Sequence, residues 1–193
     1  MGVRWHYRGV DSHPAHTIRA ARPEDAEDIA AIYATFVAMS AATFEEQAPT
    51  GSDMQQRMNA RPRLPWLVAA DPDGTILGFA YAGPHHVRSA YRWSANCSVY
   101  LRESAWGRGV ASALYRDIID AVRDLGYVSL FAGIALPNDA SVALHERLGF
   151  QRIGVFPASG FKLGSWRDVG WWRLALRDPP AHPDELHEWP LPE

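Results

Sequence analysis

Apolar side chains recur at Ile29, Ile32, Tyr33 and Phe36 with the spacing of one helical face. Pro23, Glu24 and Asp25 stand just ahead of them, where a proline fits the first turn and carboxylates suit the positive end of the helix dipole, so a first amphipathic helix is predicted there. A second helical segment is predicted from Ser52 to Asn59. The pattern then changes to that of strands. Trp66 to Ala70 and Ile76 to Ala82 flank the turn sequence Asp71-Pro72-Asp73-Gly74, which predicts a hairpin. Cys97, Val99 and Leu101 alternate as a further strand does, and Val110, Leu114, Ile118, Ala121, Val122 and Leu125 return to helical spacing. Val128 to Ala135 is a near-continuous apolar run suited to a strand covered on both faces, followed by Pro137-Asn138-Asp139 and a short helix ending at Gly149. A β-α-β-α core behind an antiparallel hairpin predicts a mixed α/β sheet.

The 193 residues suit one domain, and 47% hydrophobic with 21% charged residues is the balance of an ordinary folded chain. We expect an N-terminal extension over 1–16, the domain over 17–177, and a tail over 178–193 crowded with Pro179, Pro180, Pro183, Pro190 and Pro192. The net charge of −3 offers no basic excess for nucleic acid, so no such partner is expected. Lys162 is the only lysine, and no function follows from that. With a single cysteine, Cys97, an intramolecular disulfide and a cysteine metal cluster are both ruled out, and a cytoplasmic setting is expected. Met1 to His16 lacks the apolar run of a signal peptide, and the longest apolar stretch, Val128 to Leu136, is too short to span a membrane, so no membrane partner is expected.

Candidate chemistry starts at Trp106-Gly107-Arg108-Gly109-Val110-Ala111, between a predicted strand and a predicted helix. Glycines there let the backbone approach an anion, and the unpaired N–H groups of a helix start can hold a phosphate. On its own such a pair also serves as an ordinary turn, and it fits neither the P-loop nor the dinucleotide frame. About thirty residues on comes a second element, Asn138-Asp139-Ala140-Ser141-Val142-Ala143-Leu144-His145-Glu146-Arg147-Leu148-Gly149-Phe150. Together the two resemble the signature motifs of the GNAT acetyltransferases. Further runs, including Tyr81-Ala82-Gly83-Pro84, Arg88, Ala90-Tyr91, Ser98-Val99-Tyr100, Gly160-Phe161-Lys162, Trp166 and Asp168-Val169-Gly170, are similar to the phosphinothricin N-acetyltransferase family from about Ile18 to Leu176.

That resemblance implies a GNAT fold, with a mixed, mostly antiparallel central sheet and flanking helices. It implies acetyl-CoA as donor without a metal, a small amino-acid-like amine as acceptor, direct acetyl transfer, and a homodimer that helps build the acceptor pocket. The pyrophosphate would lie on the backbone from Trp106, Gly107, Arg108 and Gly109 to Val110, Ala111 and Ser112. Val99, Tyr100 and Leu101 on the strand, with Asn138 and Ser141 opposite, would hold the pantetheine side. For the acceptor the resemblance points to Phe44 as an apolar wall, Arg88 as the carboxylate anchor, and Tyr91 and Tyr100 as hydroxyl contacts.

The departures from the family pattern are Trp106, Ala111 and, above all, Asn96, where the family carries a Glu that takes the amine's proton. An amide has no basic site near neutral pH. His145 is then the first candidate for the proton acceptor, with His85 and His86 behind it. The alternative reading is a domain that binds acetyl-CoA without catalysis. Cys97 reads as structural, and Trp166, Trp171 and Trp172 as packing.

Overall fold

The structure, a computed structural model, describes residues 16–190. Of the predicted N-terminal extension, residues 1–15 lie outside the described residues, and His16, the next residue, is buried. Seven strands form one sheet in the order β1-β2-β3-β4-β5-β7-β6. They are β1 (Thr17–Ala20), β2 (Trp66–Ala70), β3 (Ile76–Pro84), β4 (Ser94–Leu101), β5 (Ser129–Leu136), β6 (Gln151–Lys162) and β7 (Ser165–Ala175). Only the β4–β5 pairing is parallel. The helices are α1 (Ala26–Met39), α2 (Gly51–Met58), α3 (Val110–Asp124) and α4 (Asp139–Arg147). The sheet is therefore mixed and mostly antiparallel, as the family resemblance implies. Among the described residues no helix is long and apolar enough to cross a membrane.

Most predicted elements form close to where the patterns put them. α1 follows a single 3-10 turn at Pro23–Asp25, where Asp25 accepts from the Arg22 N–H at 2.7 Å and from both terminal nitrogens of Arg19 at 2.6 and 2.7 Å. α2 starts with a reciprocal cap, in which Thr50 Oγ1 accepts from the Asp53 N–H and Asp53 Oδ2 accepts from the Thr50 N–H. The β6–β7 hairpin had no clean period to announce it. Gly154, Pro157 and Gly160 interrupt its first strand, the register slips twice along it, and the two-residue turn is closed by Leu163 and Gly164, both at positive φ.

Two cores lie on opposite faces of the sheet. Under α3 and α4, Leu114, Ile118 and Val122 meet Ala95, Cys97, Leu130, Ala132, Ile134 and Trp172. Under α1, Ile29, Ile32 and Tyr33 meet Val68, Phe79 and Tyr100. Side chains alternate along a strand, so Asn96, Ser98 and Tyr100 of β4 share the α1 face with Phe131, Gly133 and Ala135 of β5 and Val169 and Trp171 of β7. The tail lies along the domain surface. Trp93 Nε1 donates to the Asp184 carbonyl, the His187 and Trp189 N–H groups donate to the Leu125 and Arg63 carbonyls, and Glu188 pairs with Arg61 and Arg63.

Candidate active site

The site begins with a split in the sheet. β4 and β5 pair only from Ser94↔Ser129 to Asn96↔Phe131, yet β4 runs on to Leu101 and β5 to Leu136. Beyond Asn96 and Phe131 the two strands diverge, and the inner edge of β4 keeps backbone groups that no neighbouring strand takes. A cleft of about 800 Å³ fills the wedge and continues to the start of α3. Gly107 and Gly109 stand there at φ 72° and 78°, with open space where side chains would be. In the first turn of α3, the N–H groups of Val110, Ala111 and Ser112 have no carbonyl within the helix to bond, so they face the cleft as an anion cradle. Across the wedge Asn138 caps α4 by accepting from the Ser141 N–H at 3.1 Å. An elongated ligand with a phosphate at one end and amides in its arm fits this cleft.

A second cavity, of about 370 Å³, opens on the α1 face and shares Ala42, Tyr100, Gly133 and Ala135 with the first. Gly133, which lines both, carries no side chain to stand between them. Phe44, Tyr33, Tyr81, Phe156 and Trp171 give the second cavity aromatic walls. Its loop is firmly tied. Tyr33 bonds Thr43 Oγ1 at 2.6 Å and donates to Glu45 at 3.0 Å, Arg57 holds the same carboxylate with two bonds of 2.8 and 2.9 Å, and Lys162 Nζ donates to the Thr43 and Glu45 carbonyls at 2.7 and 2.8 Å. The Arg57 fork holds the Glu45 carboxyl below its ordinary range, while burial pulls the Lys162 ammonium down. The lone lysine thus fastens one wall of the cavity.

The residues singled out in the sequence fall into three groups. Val99, Tyr100, Leu101, Trp106, Gly107, Gly109, Val110, Ala111, Ser112, Asn138 and Ser141 all line the first cleft, whereas Arg108 turns back to the Ser104 carbonyl. Phe44 lines the second cavity. Arg88 and Tyr91 line neither; they sit exposed on the loop after β3. Tyr100 is buried with its hydroxyl 3.4 Å from the Ala42 carbonyl, and burial pushes its phenol well up.

The histidines divide between the two faces. His145 lies under α3, buried. Its Nδ1–H donates to the Ser141 carbonyl at 2.7 Å, which leaves Nε2 to accept from the Tyr115 hydroxyl at 3.0 Å. Burial lowers its proton affinity and raises that of Tyr115, so both are neutral near pH 7. His85, by contrast, bonds Asn96 Oδ1 through Nδ1 at 2.8 Å and stacks on Phe131. Cys97 donates to the Phe131 carbonyl, and burial pushes its thiol up, which keeps it from acting as a thiolate nucleophile. Sequence reasoning missed Tyr115, which reads as one more core position of α3, took Trp171 for packing, and gave Gly133, inside the family-like run Ala132 to Ile134, no role of its own. Among the described residues no group of three His, Cys, Asp or Glu side chains is placed to hold a metal ion.

The family model of the acetyltransferase (GNAT) domain matches residues 18–171. Phosphinothricin N-acetyltransferase of Streptomyces viridochromogenes is 37% identical over 156 residues, covering 79% of this chain and 85% of that protein. The L-methionine sulfoximine/L-methionine sulfone acetyltransferase of Pseudomonas paraeruginosa is 35% identical over 162 residues, covering 83% of this chain and 94% of its own. Among solved structures, a GNAT superfamily phosphinothricin acetyltransferase from Sinorhizobium meliloti in complex with acetyl-CoA matches with a TM-score of 0.83 at 34% identity, over 88% of this chain and 94% of the other.

Proposed function

The chain belongs to the GNAT family of N-acetyltransferases, and we propose that it carries the acetyl group of acetyl-CoA to the amine of a small amino-acid-like acceptor of the phosphinothricin or methionine sulfoximine type. The observation that carries this reading is the junction of the two cavities at Tyr100 and Gly133, which lets a thioester in the wedge meet an amine on the other face. Acetyl-CoA supplies an activated acyl carbon and a sulfur leaving group. The backbone from Gly107 to Ser112 holds its pyrophosphate, with Asn138 and Ser141 across the arm. Unpaired N–H groups on the inner edge of β4 orient the arm and polarise the carbonyl.

Tyr115 and His145 work as a pair on the cofactor face. Tyr115 keeps its proton near pH 7 and at rest donates it to His145 Nε2, so turning that O–H from Nε2 to the departing sulfur makes Tyr115 the proton donor, with His145 holding it in place until then. The Phe44 and Trp171 walls take the apolar part of the acceptor, and Arg88, exposed on the loop after β3, draws in its carboxylate. Exposed Phe156 and Phe161 of β6, Leu163 of the turn and Trp166 of β7 fit a homodimer, to be checked by sedimentation.

The test is thiol release from acetyl-CoA with phosphinothricin, methionine sulfoximine, methionine sulfone and common amino acids. Turnover with an amino-acid-like amine is the expected result. Binding of acetyl-CoA with no turnover on any amine would leave a cofactor-binding domain instead.

A further inference from the structure

The chemistry needs a group that removes a proton from the incoming amine, and the acceptor face has few to offer. Burial pushes the phenols of Tyr33, Tyr81 and Tyr100 up, so they stay protonated. The Arg57 fork holds Glu45 low, which makes its carboxylate a weak base. Lys162 spends its protons on two carbonyls. His145 is on the opposite face with both ring nitrogens engaged.

His85 differs from all of these in position. Asn96 and Phe131 are the last paired residues of β4 and β5, the apex from which the wedge opens. The His85 ring is bonded to the first of them and stacked on the second, with centroids 4.3 Å apart. The ring of Trp171, which lines the acceptor cavity, stands perpendicular to that of His85 with centroids 6.1 Å apart. The amide oxygen of Asn96 can only accept, so the proton of a neutral His85 sits on Nδ1 and the lone pair on Nε2. The neighbours from the sheet, Asn96, Phe131 and Trp171, are uncharged. The titratable and charged groups of its own loop are His86, Arg88 and Tyr91, and on the sheet Arg173 of β7, the register partner of Phe131, donates through Nε to Ser129 Oγ.

We propose that His85, fixed in one tautomer by Asn96, is the catalytic base that takes the proton of the acceptor amine. The inference rests on the transferase reading above and adds the base to it. The acceptor ammonium gives one proton to His85 Nε2, which passes it to solvent. The freed nitrogen lone pair forms the C–N bond to the thioester carbonyl carbon, and the C–S bond breaks with its electron pair on sulfur. The second nitrogen proton balances the one that ends on that sulfur.

The experiment compares the wild type, His85→Phe and His85→Phe/Asn96→Glu, each with acetyl-CoA and either phosphinothricin or methionine sulfoximine, from about pH 6 to about pH 9. His85→Phe keeps the stack on Phe131, so acetyl-CoA binding measured by calorimetry should be unchanged. Its kcat near pH 7 should fall by about 100-fold or more, the deficit should shrink as the amine sheds its own proton at high pH, and the added carboxylate should restore part of the rate. A His85→Phe enzyme within about twofold of wild-type kcat at every pH would overturn the proposal alone. Silence of the wild type on both amines, with acetyl-CoA bound, would overturn the transferase reading and this proposal with it.

Discussion

The two walls that meet at the split between β4 and β5 are made in different ways. The cofactor wall is mostly backbone: the first turn of α3, two glycines at positive φ, the capped start of α4 and the open edge of β4. The acceptor wall is mostly side chains drawn from β3, β6, β7, α1 and the loop around Phe44, tied together by Tyr33, Glu45, Arg57 and Lys162. Backbone recognition is set by conformation and tolerates changes of side chain, which is why Trp106 and Ala111 can stand in the cradle. Side-chain recognition is set residue by residue, so acceptor choice can drift while the donor site stays the same.

The largest expected effect strikes the place where the cofactor wall does depend on one side chain. Tyr115→Phe removes a hydroxyl from a buried pair without changing the volume of the core, and should lower kcat about 100-fold while leaving both KM values nearly unchanged. Steady-state kinetics with saturating acetyl-CoA decides it. A large rise in the KM for acetyl-CoA instead would make Tyr115 part of the cradle rather than of the chemistry.

Gly109→Val probes the conformational part of the same wall. The residue is the N-cap of α3 at φ 78°, where a β-branched side chain is strained by roughly 1–2 kcal/mol. The strain falls on the segment that presents the N–H groups, so affinity for acetyl-CoA should drop about 5- to 30-fold, with the KM for the acceptor unmoved. Calorimetry with CoA reads this without any acceptor.

This division also explains what could be read from the chain. The glycine turn and the Asn138 to Phe150 run are contiguous, so motif and spacing pointed to the donor site at once. Phe44, Trp171 and Lys162 are far apart in sequence, and nothing local says that Lys162 fastens the loop beside Phe44 or that Gly160 leaves room for the Phe44 ring. β6 carries no clean alternation because, as the edge strand, it is exposed on both faces along most of its length and bulges shift its register. His145 and His85 were both visible as histidines. Which face of the sheet each occupies, and which nitrogen each has to spare, depends on Tyr115 and Asn96, partners that helical or strand periodicity does not rank.

Lys162→Met sharpens the contrast from the acceptor side. Methionine replaces much of the apolar stem but drops the two bonds to the Thr43 and Glu45 carbonyls, so the loop bearing Phe44 loosens. The KM for the acceptor should rise about tenfold, equivalent to about 1.4 kcal/mol, with acetyl-CoA affinity unchanged. Equal losses for both ligands would show the two walls to be one mechanical unit.

The smallest effect comes from the other tie on that loop. Glu45 is partly exposed, so the whole contribution of its fork with Arg57 should be only about 0.5–1 kcal/mol, measured as the stability difference between wild type and Glu45→Gln in urea at pH 7. Its folded carboxyl is held below the ordinary range, so the stabilisation is fully present above the unfolded pKa and is lost as pH falls through the folded one. Below both, the wild-type side chain is neutral like the glutamine, and the two unfolding curves should converge. A difference that persists at low pH would mean that Glu45 acts through its bond to Tyr33 rather than through its charge, and would move the weight of the acceptor wall from the ion pair to the Tyr33 hydroxyl and Thr43.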